Sequence, residues 1–542
     1  MTVELVQPSE IAVDVEAAKN TRKHGETMIS RADGVEIRDD PEARRAFLAT
    51  FSADEEARII RKVDLRIVIL IGVMSMIKAI DANSASNVKV LQVGEPRNIV
   101  IELGMTSNLY NWVGSIYGIA YIVFEAPSNL LLKKMTPHVW QSRIFLTWGI
   151  IQGCHAAVKN YHQLFALRFL LGMFEAGMFP GVMAHLHYWY RTEEMGKPVA
   201  WFFGIAANAN IVGSLLCYGL SYANGACGLS AWRWVYIVEG VFTVLFSLVV
   251  YFCLPDYPKS PRSRRWLTER EQEFLEARLS ENAPLTSDPA YSWKEIKHTL
   301  GHWLIWSFLL SQTLVNLGGY ALTWYLPTII TNLGFAALPK NQLLNIPPAA
   351  AAILGEAFSA WFMYRAFIVR PAYIMILMSG MVVCFVLFFT IENRYGLYIA
   401  CVLGQLFYST YFIPFWAWRS ATLVGTTGTA LTYGLQSGIA QLGGVVGPQL
   451  FQSKWAYNRY KNSFAIAASF IIAAWVSNVW TWYMTRNTEC DVLLHQRKVL
   501  KARKNGKVVA DDDIQIFEER KFYKGFWRRK NPVVESSDEL ST

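Results

Sequence analysis

Runs of about twenty mostly apolar residues recur along this chain, and each is long enough to cross a lipid bilayer as one helix. The expected spans are 65–90, 109–131, 140–159, 162–189, 199–222, 232–254, 303–330, 343–365, 371–392, 395–418, 424–452 and 464–485. No arrangement of water-soluble domains accommodates so many, because a soluble surface needs polar residues that are missing here. Of the 542 residues, 53% are hydrophobic and only 17% charged. The 20 Trp and 25 Tyr suit the membrane–water boundary, where a ring buries its body and wets its polar edge.

The net charge of +9 sits largely in tails and loops between the runs. That placement fits cytoplasmic loops and anionic headgroups, and argues against nucleic acid as a partner. Cys154, Cys217, Cys253, Cys384 and Cys401 lie in or beside apolar runs and read as small hydrophobes, not a disulfide framework. The first 60 residues are polar, so the run beginning near Val63 is expected to act as a retained signal anchor.

Arg61, Lys62, Lys133, Lys134, Arg191, Lys197, Arg365 and Arg370 all fall on one side of the expected spans. That side is assigned to the cytoplasm, with Lys454, Arg459 and Lys461 as exceptions on the other. A charged, Pro-containing stretch divides the spans six and six, and a short helix is expected in it from Thr268. The expected organisation is a cytoplasmic tail over 1–60, a six-helix bundle over 61–255, a cytoplasmic loop over 256–302, a second six-helix bundle over 303–486 and a cytoplasmic tail over 487–542. GIAANANIVGSLLCYGL (Gly204 to Leu220) is echoed in kind by GLQSGIAQLGGVVGPQL (Gly434 to Leu450). Paired halves around a central site are a transporter plan, and small residues permit close approach where helices move.

Charges inside the spans are the candidate functional residues, since an ion there is costly unless paired or facing water. In the first span these are Lys78 and Asp81, spaced i, i+3 and therefore neighbours. In the fourth, Arg168, Gly172 and Glu175 share one helix face; Glu175 and Asp81 are the candidate proton carriers, and Lys78 and Arg168 the cations expected to attract an anion. The bland alternative in both cases is a self-neutralising structural pair. In the seventh span Asn316, Tyr320 and Trp324 recur every four residues and either line a cavity or pack between helices. His185 and His187 point to nearly opposite sides of a helix, so no metal site is expected. His155 reads as a core histidine, and Arg419 as a side chain reaching for lipid phosphate. The stretch 519–531 suits an anionic membrane surface or a solvated tail equally. No nucleotide loop, catalytic cluster or cofactor motif stands out, which argues against an ATP-driven pump and an enzyme.

EAPSNLLLKK (Glu125 to Lys134), RFLLGMFEAGMFPG (Arg168 to Gly181), WYRTEE and WRWVYIVEG (Trp232 to Gly240), with the weaker LPDYP, YLPTII and NIPPAA, resemble the major facilitators. Within them the likeness is to the anion:cation symporter branch with fungal allantoate-permease-like members. The resemblance runs from about Lys62 to Arg486. It implies an all-α membrane protein of about twelve helices in two pseudo-symmetric bundles. It also implies proton-coupled uptake of a small organic anion such as a vitamin, ureide, organic acid or amino-acid derivative. A monomer in the plasma membrane is expected, with the vacuole or another organelle as the alternative location. Glu125, Lys133 and Lys134 then fall on the cytoplasmic gate. The branch carries Asp-Arg-x-Asn in its first helix, where this chain has Asp81 followed by Ala82, Asn83 and Ser84. Lys78, on nearly the same face, is expected to replace the missing arginine. Efflux or organellar transport of a metabolite, or a transporter-like nutrient sensor, are the rival readings.

Overall fold

Each of the expected spans coincides with helix in the computed structural model. The structure describes residues 41–504 apart from 133–134, 187, 191–195, 280–296, 298, 336–338, 423–425 and 459. Two short helices come first, α1 (Pro41–Ala49) and α2 (Ala53–Val63). The first half then contains α3 (Ile69–Lys89), α4 (Ser107–Leu132), α5 (Pro137–Cys154), α6 (Tyr161–Glu175), α7 (Met178–Leu186), α8 (Gly196–Ala207), α9 (Ala209–Ser221) and α10 (Ala231–Cys253). The connecting segment holds α11 (Glu269–Ala277). The second half contains α12 (Trp303–Asn332), α13 (Ile346–Tyr364), α14 (Arg370–Thr390), α15 (Arg394–Ser420), α16 (Thr426–Ala440), α17 (Leu442–Leu450) and α18 (Lys461–Lys504). Among the described residues, seven helical stretches are long and apolar enough to cross a membrane by length and composition, two of them running through α6–α7 and α8–α9. The others carry more polar side chains, as α3 does with Lys78, Asp81 and Lys89.

Local chemistry sets the helix ends. Thr136 precedes α5, with Pro137 at its first position, where proline's missing N–H is not needed. Asn160 caps α6 by accepting from the Gln163 N–H at 3.0 Å. Thr268 and Glu271 form a reciprocal capping box, so the helix expected from Thr268 is present. Pro127, Pro327, Pro414 and Pro448 lie inside helices, which membrane helices tolerate where neighbours re-satisfy the freed backbone groups.

The packing repeats with a six-span offset. Spans one and five (α3, α8) pack together, as do spans seven and eleven (α12, α17). Spans two and four (α4, α6) correspond in the same way to spans eight and ten (α13, α15). Between the halves α4 meets α17 and α8 meets α13, and these two contacts exchange under the same offset.

The surface is turned inside out relative to a soluble protein. Leu354 is 70% and Phe252 65% exposed, whereas Asp81, Arg168, Glu175 and Glu239 are buried. Lipid solvates the first set and helix neighbours the second. Cys217, Cys384 and Cys401 are buried as expected, but Cys154 and Cys253 are on the outer surface.

The connecting segment is not a free loop where it is described. Phe274 packs on Phe51 with ring centroids 4.4 Å apart, and Arg44 Nε donates to the Ala277 carbonyl at 2.6 Å. Lys62 pairs with Glu271 at 2.6 Å. The helices before the first span and the segment after the sixth therefore form one small layer at the basic end. These elements belong to one unit, Met1–Glu489; the other, Cys490–Thr542, is described only to Lys504 and is helical there. The stretch 519–531 lies outside the described residues.

Candidate functional site

The core of the first half holds two polar groupings. The first is an ion pair: Lys78 Nζ on α3 lies 3.6 Å from Glu175 Oε1 at the end of α6. The Lys78 side chain is 20% exposed, and the Glu175 side chain is fully buried. Lys78 also sits 5.0 Å from the centre of the Tyr121 ring, a cation–π contact from α4. The Tyr117 hydroxyl of α4 lies beside the Glu175 carboxyl, and Lys78 is the cation within ion-pair distance of it. Glu175 reaches α3 because α6 and α4 run very close: a Cβ on Gly172 would lie 2.4 Å from the Tyr117 carbonyl oxygen.

This pairing corrects one expectation. Lys78 and Asp81 are neighbours in sequence but not partners. One turn of α3 directs Asp81 into the bundle, where Oδ2 accepts from Trp148 Nε1 at 2.7 Å and from Thr243 Oγ1 at 3.1 Å. Three residues separate them by about 60° around the helix axis, enough to face different neighbours. Arg168 is likewise not the partner of Glu175. Its guanidinium donates to the Tyr236 hydroxyl at 2.7 Å and lies 5.3 Å from that ring's centre.

The second grouping runs along the junction of α3, α5 and α10. Beside the Asp81, Trp148 and Thr243 layer lies a layer of Ser84, Gln152 and Glu239. Gln152 Nε2 donates to Glu239 Oε2 at 2.8 Å and to Ser84 Oγ at 3.3 Å. One turn further along, the His155 and Tyr236 rings meet at a tilt of 32° with centroids 5.0 Å apart, and Tyr236 holds Arg168. His155 is thus a core histidine, as read from the sequence.

In the second half Asn316, Tyr320 and Trp324 make contacts between helices. Asn316 Nδ2 donates to the Ala440 carbonyl at 3.1 Å, and its Oδ1 accepts from the Tyr408 hydroxyl at 3.3 Å. Trp324 covers Gly114 of α4, and Tyr320 lies over Gly444 of α17. These residues close α12 onto α4 and α17, and only Tyr320 remains half-buried. Arg419 does not reach for phosphate. It is buried, bonds the Gln436 side chain at 2.9 Å, and stacks 4.8 Å from the Phe308 ring centre.

The halves touch at both ends of the central pair. At the basic end Phe179 meets Trp416 with centroids 5.6 Å apart, and the Glu125 carboxylate abuts Gly438 of α16. Lys133 and Lys134, expected to share the gate with Glu125, lie outside the described residues. At the opposite end Lys89 Nζ donates to Asn111 Oδ1 at 3.2 Å and sits 5.0 Å from the Tyr325 ring centre. Asn111 in turn donates to the Phe451 carbonyl at 3.2 Å, and Ser115 to the Val445 carbonyl at 2.6 Å. These bonds join α3 and α4 to α12 and the end of α17.

Gln152, Glu239 and Lys89 went unassigned in the sequence. Glu239 lies inside WRWVYIVEG, and its position within an apolar run was the available signal. Lys89 sits at a span end, where snorkelling is the ordinary outcome.

The chain resembles known proteins along most of its length. It is 34% identical over 310 residues to MFS transporter prlL from Fungal sp. (strain NRRL 50135), covering 57% of this chain and 62% of that one. It is 28% identical over 402 residues to a putative tartrate transporter from Agrobacterium vitis, covering 74% and 88%. Against MFS-type transporter cnsO of Penicillium expansum the shared part is 57% of the relative. The chain thus spans about three fifths of the two fungal relatives. Among solved structures, a bacterial homologue of the human lysosomal transporter Spinster, inward-facing and occupied, superposes with a TM-score of 0.51. It covers 80% of this chain and 97% of its own at 13% identity, a likeness of fold. The family profile described as Major Facilitator Superfamily matches residues 84–448, from the end of the first span to the eleventh, and the chain belongs to that superfamily.

Proposed function

We propose that this protein is a proton-coupled symporter for a small organic anion, working by alternating access as a plasma-membrane monomer with both chain ends cytoplasmic. The observation that carries the reading is the Lys78–Glu175 pair: a partly exposed cation set against a buried acid that has no other cation within ion-pair distance among the described residues. An anion that draws Lys78 away leaves Glu175 uncompensated. Breaking a buried pair in that way costs about 3–5 kcal/mol. A proton on Glu175 removes this cost, so substrate and proton favour each other's binding. That mutual preference is what symport requires. The loaded site then reorients between the two closures without an unpaired charge.

The similarity to putative tartrate transporters supports an organic acid as cargo. Lys78 offers a compact point charge, not the planar fork of arginine, and so accepts carboxylates without demanding bidentate geometry.

The test is uptake by the full chain in proteoliposomes, using labelled tartrate and a panel of vitamins, ureides and organic acids. An acidic exterior should drive accumulation of at least one, and a protonophore should abolish it. Accumulation indifferent to the proton gradient would end the reading.

A further inference from the structure

The Lys78–Glu175 pair does not use the second polar grouping, and that grouping has an unusual composition. Glu239 is 4% exposed. Its Oε2 takes one bond, from the neutral Gln152 amide, and its Oε1 takes none. Among the described residues no cation lies within ion-pair distance of it. Asp81 accepts only from a neutral indole and a neutral hydroxyl. Two buried carboxyls thus lie in adjacent layers of one column of neutral donors, with Ser84 between them: its Oγ donates to the Asp81 backbone carbonyl at 2.8 Å and receives Gln152. The charged or titratable groups facing Glu239 are Asp81 from α3, Arg168 from α6, Cys217 from α9, and Tyr236 on its own helix, with His155 beside Tyr236. Arg168 is the sole cation among them, and Tyr236 holds its guanidinium.

A fully ionised column would bury two negative charges against one arginine. Each uncompensated buried ion costs several kcal/mol, so the column keeps at least one proton. Gln152 suits that task. Its N–H group meets an ionised carboxylate, and a half-turn of the amide presents the carbonyl to a protonated one. The Gln152 carbonyl oxygen is buried and without a donor in the present orientation.

We propose that Glu239 is a proton site of this protein, forming with Asp81 a proton-holding pair separate from the Lys78–Glu175 site. The proton that leaves one carboxyl leaves a single negative charge in the column, felt by the other carboxyl through space and faced by Arg168. This site deepens the symport reading and rests on it for its role in transport, because it supplies a coupling proton that the anion does not contact.

Infrared difference spectroscopy on the reconstituted full chain, titrated with pH in the absence of any transported solute, tests the site directly. The wild type should show the C=O stretching band of a protonated carboxyl, sensitive to deuterium exchange. Glu239→Gln should remove that band or a resolved part of it. In Asp81→Asn the midpoint of the remaining band should move to lower pH by about one unit, because the neighbouring negative charge is gone. Gln152→Leu, which keeps both carboxyls, should also displace it and serves if Glu239→Gln does not insert. A carboxyl band unchanged in all the variants that insert overturns the proposal. Since no transport is measured, that result would leave the symport reading standing, while failure of proton-driven uptake would leave the site standing.

Discussion

Lys78 Nζ and Glu175 Oε1 stand 3.6 Å apart, joining the first and fourth spans through the only cation within reach of a fully buried carboxylate among the described residues. Tyr121 of α4 lies beneath the ammonium. Both chemical partners in the proposed cycle act here, one by competing for Lys78 and the other by discharging Glu175.

Glu175→Gln copies the protonated acid and removes its titration. Proton-driven accumulation of the accepted anion should be lost, while exchange of labelled for unlabelled anion across the membrane survives at least in part. Accumulation ratios that still follow the pH gradient would exclude Glu175 from coupling.

Lys78→Met removes the anion's cation. A charge-assisted hydrogen bond is worth about 1.5–3 kcal/mol, so apparent affinity should fall roughly ten- to a hundredfold. The same change strands Glu175 in the core and should lower thermal stability. The double variant Lys78→Met with Glu175→Gln should recover much of that stability, because the orphaned charge is gone. A double variant no more stable than the single one would show that the pair is not what holds α3 to α6.

Acidification should loosen the end of the bundle opposite the basic one. Glu102 follows the first span, in the connection to the second, and accepts from Ser230 at 2.5 Å, Trp232 at 2.8 Å and Arg233 at 2.8 Å. Partial burial pushes its carboxyl up, but the bonds from Ser230, Arg233 and Trp232 outweigh it and hold the carboxyl below the usual range. An acid held low contributes stability above its unfolded value of about 4.3 and loses it as pH falls through the lower folded value. The melting temperature of the wild type should therefore drop below about pH 4 more steeply than that of Glu102→Gln. Equal slopes would remove Glu102 as the source.

The sequence made the helices legible because lipid imposes a single requirement, about twenty apolar residues per span, and every expected span became helix. Which charges meet was much less legible. The i, i+3 spacing of Lys78 and Asp81 suggested a pair, but about 60° of rotation sends them to different helices, and spacing on one helix says nothing of what the next one brings. Asn316, Tyr320 and Trp324 share a face as read, yet that face is closed by Gly114 and Gly444, whose missing side chains are invisible to a periodicity argument. Glu239 lay in plain sight within an apolar run. Its relation to Asp81 depends on Gln152 and Ser84, two neutral residues that carry no signal of their own.

The three-helix junction that holds this column depends on glycine, which gives a last prediction with its own control. A Cβ on Gly240 of α10 would lie 2.5 Å from the Gly153 backbone nitrogen and 2.9 Å from the Gly149 carbonyl oxygen. Backbone atoms cannot rotate aside, so α5 and α10 would have to separate. Overpacking of this kind costs about 1–3 kcal/mol. A Cβ on Gly153, directly opposite, would have nothing within 4 Å, so a methyl there meets open space. Gly240→Ala should therefore lower the melting temperature of the purified protein, while Gly153→Ala should leave it unchanged or raise it slightly through better helix propensity. Because Glu239 and Thr243 ride on α10, Gly240→Ala should also disturb the protonated-carboxyl band, which Gly153→Ala should not. Equal stability of the two alanine variants would mean that α5 and α10 are not in close contact at these glycines.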